Sequence, residues 1–93
     1  MRVKEFFSLL EKSNEFKSLL GELPVKLHVK AGDFHIGTVA SFEEFALLLG
    51  EELHPDAMNS ILLADIEPSR YLRQFVIKYR FDGRLARLTI LAE

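Results

Sequence analysis

The chain has 93 residues, 48% of them hydrophobic, with a formal net charge of -2 and no cysteine. That length suits a single domain over residues 1–93, large enough for one apolar core and too short for two. The lack of cysteine excludes disulfides and thiol-based metal or redox centres, and the slight negative charge argues against a broadly basic nucleic-acid coat.

Taken in order, Val3, Phe6, Phe7 and Leu10, then Phe16, Leu19 and Leu20, recur at helical spacing with Lys and Glu between them. The pattern predicts an amphipathic helix over about 3–20, with Ser13 and Asn14 marking a kink or a second N-cap and Gly21 and Pro24 as the stop signal. The run is broken by Glu5, Ser8 and Glu11 and lacks a small-residue cleavage pattern. With no stretch of membrane-spanning length either, the expectation is a soluble, unprocessed, cytoplasmic protein. Two Asn, one Gln and 28% charged residues resemble the bias of heat-adapted proteins.

Val25, Leu27 and Val29 alternate with Lys26, His28 and Lys30, and Gly32-Asp33 reads as a two-residue hairpin turn. In the plain register Lys30 faces His35, Val29 faces Ile36 and Leu27 faces Thr38. Ser41 with Glu44 three residues on is a capping-box pattern before Phe45-Ala-Leu-Leu-Leu49, predicting a helix over about 42–52. Phe42, Phe45, Ala46 and Leu49 form its stripe; Leu47 and Leu48 widen it. Residues 55–66 are ambiguous: Pro55 suits a helix start, while Ser60–Ile66 also reads as a buried strand, the preferred assignment. Glu67-Pro68-Ser69 is a turn signal.

The C-terminal segment is the strongest β signal. Phe75, Ile77, Tyr79 and Phe81 alternate with polar neighbours, Asp82-Gly83 is a hairpin turn, and residues 85–91 return. That turn pairs Tyr79 with Ala86, Ile77 with Leu88 and Phe75 with Ile90. The whole predicts an α+β fold in which two hairpins form an antiparallel sheet of four to five strands. Two or three helices pack on one face, in the order α-β-β-α-(β or α)-β-β.

Charge is sorted along this order. Residues 41–68 carry Glu43, Glu44, Glu51, Glu52, Asp56, Asp65 and Glu67 with no Lys or Arg, whereas residues 69–93 hold mostly bases. Glu51 and Glu52 fall at the unfavourable end of a helix dipole. In the C-terminal hairpin Lys78 lies opposite Arg87, a like-charge pair that an anion would relieve, with Arg80, Arg84 and the first hairpin's Lys26, Lys30 and His35 able to contribute if the hairpins share a sheet. Long side chains splaying into water would relieve it at small cost. Leu72, Val76 and Leu91 border the basic group, like the apolar part of a protein interface, unless residues 55–66 cover them.

Chemistry is harder to find. His28 and His35 share a hairpin face but have no third ligand at metal spacing, His54 precedes Pro55 at a helix end, and no serine sits in a nucleophile-elbow context. No phosphate-cradling glycine motif is present, and nothing indicates a cofactor. Charge segregation with no catalytic motif points to a non-enzymatic protein-protein interaction domain, either homo-oligomeric or an accessory subunit. The alternatives are polyanion or nucleic-acid binding through Lys78, Arg80, Arg84 and Arg87, and a small-molecule site or enzyme that the sequence does not display. Base stacking would need aromatics on the basic face, but alternation sends Phe75, Tyr79 and Phe81 to the core side.

Overall fold

A computed structural model describes residues 1–20 and 25–92, so the expected helix stop at Gly21 and Pro24 lies outside the described residues. The N-terminal periodicity yields two helices. α1 (Val3–Lys12) buries Val3, Phe6, Phe7 and Leu10 and closes where the Ser13 N–H donates to the Leu9 carbonyl at 2.8 Å. The Ser13 hydroxyl accepts from the Phe16 N–H at 3.1 Å and starts α2 (Asn14–Leu20), so the break sits where the capping residues predicted it.

Five strands form one antiparallel sheet in the order β2-β1-β5-β4-β3: β1 (Leu27–Ala31), β2 (Phe34–Val39), β3 (Asp65–Pro68), β4 (Gln74–Phe81) and β5 (Arg84–Ala92). The β4–β5 register is the one the Asp82-Gly83 turn dictates, with Tyr79 opposite Ala86, Ile77 opposite Leu88 and Phe75 opposite Ile90. Asp82 and Gly83 both take positive φ, 55° and 74°, the twist that matches a right-handed hairpin. Pairing of β1 with β5 joins the two hairpins.

The helices lie on one side. α3 (Phe42–Glu52) opens with the expected cap: the Ser41 hydroxyl accepts from the Glu44 N–H at 3.2 Å, and the Glu44 carboxylate accepts from the Ala40 N–H at 3.2 Å. The core lies between helices and sheet, where Phe6 meets Phe75 with ring centroids 4.9 Å apart and Phe7 stacks on Phe45 at 5.0 Å.

Two expectations need correction. The first hairpin pairs Lys30 with His35 as expected, but the register then shifts, so Val29 faces Gly37, not Ile36, and Leu27 faces Val39, not Thr38. Ile36 is the extra residue of a bulge. The reason is burial: the plain register would turn Val39 away from the helices, whereas the bulge brings it into the core and leaves Thr38 outside. Gly37 then lies under α3, where an added Cβ would come within 2.7 Å of Leu48 Cδ1. Leu48 packs on the core, while Leu47 is exposed.

The second correction concerns residues 55–66. α4 (Pro55–Leu62) replaces the start of the expected strand, and β3 begins only at Asp65. Pro55 occupies the first helical turn, His54 Nδ1 accepts from the Asp56 N–H at 3.1 Å, and Ala57 and Ile61 form a buried i, i+4 pair. Helical periodicity and a complete cap together favour the helix over a strand here. The outer edge of β3 is taken by the N-terminus, whose Met1 carbonyl accepts from the Ile66 N–H at 2.7 Å.

Filling the space at Gly37 tests the bulge. Gly37→Val should cost about 1–3 kcal/mol by overpacking Leu48, and Leu48→Ala in the same chain should recover part of that loss, read as non-additivity in denaturant unfolding. Ser41→Ala should cost about 1 kcal/mol by removing the α3 cap.

Candidate binding face on the open side of the sheet

Strand alternation sends Leu27, Val29, Val39, Ile66, Ile77, Leu88, Ile90 and Ala92 into the core and the intervening residues to the opposite face. All four helices belong to the core side, so the opposite face carries no covering layer among the described residues. The registers lay it out in rows. Thr38, His28, Leu91 and Gln74 form one row, followed by His35, Lys30, Thr89, Val76 and Glu67. Next come Arg87, Lys78 and Asp65, and last Leu85 opposite Arg80.

Lys78 does lie opposite Arg87 and both are exposed. Lys78 has Asp65 opposite on its other side, and Asp65 also pairs with Arg2, N to O 3.6 Å. Among the described residues Arg87 has no acidic cross-strand partner. Among the described residues no ion pair joins Lys78, Arg80, Arg84 or Arg87 to a carboxylate. Lys30 and His35 are brought onto the same face by the β1–β5 pairing, and Lys26 sits just ahead of β1 at its border. Arg84 is separated from the group, because it faces Phe81 and shares the helix-side parity at the turn.

The apolar border is less uniform than the sequence implies. Val76 is half-buried between Thr89 and Glu67, and Leu91 is 37% exposed between His28 and Gln74. Leu72 lies in the connection between β3 and β4, 83% exposed, beside exposed Tyr71. Residues 55–66 do not cover these side chains: α4 packs on the core side through Ala57 and Ile61, and β3 lies at the sheet edge. Leu85, 66% exposed and opposite Arg80, is a further apolar residue of this face. Plain alternation from the Asp82-Gly83 turn would have identified it.

The acidic side chains of the helical layer lie elsewhere. Glu43, Glu51 and Glu52 are exposed on α3, and Glu44 caps that helix. No basic residue occupies the last turn of α3, so Glu51 and Glu52 stay uncompensated by their own helix. His54, Asp56, Ser60, Arg80, Phe81 and Asp82 line an open cleft of about 330 Å³ where α4 meets the β4–β5 turn. His54 lies 3.7 Å from the Asp56 carboxylate and 5.7 Å, ring to ring, from Phe81.

Every buried residue among those described is hydrophobic, so the core holds no buried ionisable group whose proton affinity could be tuned for acid-base chemistry. No helix among the described residues is long and apolar enough to cross a membrane. The fold and this face define an α+β domain with an open-faced antiparallel sheet. No family model, curated protein or solved structure matches the chain.

The neighbour pattern makes Arg87 the strained member of its pair. Arg87→Glu should leave folding stability unchanged or raise it by about 0.2–1 kcal/mol at low salt, because Glu opposite Lys78 is a favourable cross-strand pair. Urea unfolding at low and at roughly 1 M salt should show the gain shrinking with screening.

Proposed function

We propose that this chain is a non-enzymatic docking module, an accessory subunit whose uncovered sheet face receives an acidic surface of a partner protein. One observation carries the reading: Lys78, Arg80 and Arg87 lie on an uncovered face with exposed Leu85 and Leu91, and no described carboxylate forms an ion pair with them. An interface of this kind gains contact area from the apolar residues and orientation from the charges. A cysteine-free chain suits work in a reducing cytoplasm.

The position of the helix-layer acids favours a different protein over a second copy. Glu43, Glu51 and Glu52 belong to the helical layer and the bases to the far side of the sheet, so one copy docking its acids on another's bases leaves a free acidic and a free basic face at the two ends. Such a contact is heterologous and produces rings or open chains, not a closed dimer. Nucleic acid is the second reading for the same cations, since Lys30 and Lys26 extend the basic face. Among the described residues the strand rows of this face hold no aromatic stacking platform, because Phe75 and Tyr79 pack on the core and the exposed Phe34 and Phe81 have helix-side parity.

Fluorescence anisotropy can separate these cases at low salt, using an acidic peptide carrying Leu and Phe side chains and an oligonucleotide of equal charge. The docking reading expects the peptide to bind more tightly and Arg87→Glu with Lys78→Glu to weaken it at least tenfold. Preference for the oligonucleotide, with affinity falling by about one power of salt per phosphate contacted, would establish the polyanion reading instead. Binding of neither would remove both.

A further inference from the structure

We infer that His28 and His35 form a two-imidazole site for a borderline divalent transition-metal ion such as Zn²⁺, Ni²⁺ or Cu²⁺ on the open face of the first hairpin. The Lys30–His35 pairing sets the site, and the bulge at Ile36 adds Thr38 opposite His28. His35 is opposite Lys30 and, after the extra residue, Thr38 is opposite His28, so the two histidines project to the same face from a diagonal pair of positions. His28 Nδ1 and His35 Nε2 approach to 3.2 Å, and their ring centroids are 5.4 Å apart at an angle of 50°.

That separation is the one a metal needs. Two nitrogens each about 2.0–2.1 Å from a tetrahedral zinc ion are about 3.3 Å apart, so the pair can pass from sharing a proton to sharing a metal with little movement. In the bound form His28 ligates through Nδ1 with its proton on Nε2, and His35 ligates through Nε2 with its proton on Nδ1. A neutral pair already holds two protons, so binding moves the shared proton to a ring's outer nitrogen and releases none. Imidazole nitrogen as the donor selects the late first-row ions over Mg²⁺ or Ca²⁺. The Thr38 hydroxyl lies 3.3 Å from His28 Nδ1, and the adjacent cleft of about 430 Å³, lined by Lys26, Thr38 and Glu44 among others, leaves the remaining positions to water or to an exchangeable ligand. Lys26 and Lys30 are the facing cations and oppose the bound charge, Glu44 across the cleft offsets part of it, and Thr89 and Leu91 on β5 are neutral.

Isothermal titration of the metal-free chain with Zn²⁺, Ni²⁺ or Cu²⁺ alone tests this, alongside His28→Gln, His35→Gln and His54→Gln, each checked by circular dichroism for retained folding. One ion per chain should bind; either hairpin variant should weaken it at least tenfold, and His54→Gln should leave it unchanged. Histidine NMR signals of both residues should shift together on Zn²⁺ addition, and a chelator should reverse the shift. Binding that survives His35→Gln, binding lost in His54→Gln, or no binding above that of a single exposed histidine would overturn the site.

Discussion

The register of β5 is the constraint on which the rest of the molecule depends. It pairs with β4 on one side and β1 on the other, so its alternation divides both hairpins at once into a face that meets helices and a face that meets none. Leu88, Ile90 and Ala92 anchor the core, and the same spacing fixes Arg87, Thr89 and Leu91 outside. A slip of one residue would reverse every one of these assignments, which is why the Asp82-Gly83 turn matters beyond its own four residues. Positive φ at both turn positions holds the two-residue loop and with it the pairing of Lys78 and Arg87.

Local patterns told most of this story where one principle acted alone. The β4–β5 register followed from turn chemistry plus alternation, and the start of α3 followed from Ser41 and Glu44, because each signal is complete within a few residues. The α1–α2 break was legible at Ser13 for the same reason. The Ile36 bulge was not, since only contact with α3 decides that Val39 should be buried and that Gly37 must admit Leu48. Residues 55–66 were misread because a short apolar run looks alike in helix and strand, and the His54 cap that decides it involves an uncommon capping residue.

The candidate face shows the same division. That Lys78 faces Arg87 was readable from one hairpin, but the order of strands was not, and it is strand order that sets Asp65 beside Lys78 and gives Arg87 no acidic strand partner among the described residues. Arg84 was grouped with the other bases through its nearness in sequence, yet its partner Phe81 puts it on the opposite parity. Leu72 reads as a border of the basic group, yet the strand begins at Gln74 and Leu72 lies exposed in the preceding connection. That His28 and His35 share a face was readable from the Lys30–His35 pairing, whereas the bulge decides that Thr38 stands opposite His28.

The charge segregation along the sequence becomes, in three dimensions, a segregation across layers, and the distances decide what that does. Between the basic face and the exposed Glu51 and Glu52 stand the sheet and the helical layer, the latter roughly 10–12 Å across. The Debye length at physiological salt is about 8 Å, so Glu51 and Glu52 do little to relieve Lys78 and Arg87 within one molecule. In the strand rows of the basic face the acids are Asp65 and Glu67 on β3, and they sit next to Lys78 and Val76, not Arg87, while Asp56 and Asp82 share a cleft with Arg80. Keeping Arg87 opposite Lys78 therefore costs a few tenths of a kcal/mol, about the size of a surface pair, while their shared position on two hydrogen-bonded strands presents two cations already oriented for an incoming carboxylate. That cost is too small to threaten the fold, and under the docking proposal an incoming carboxylate would relieve it.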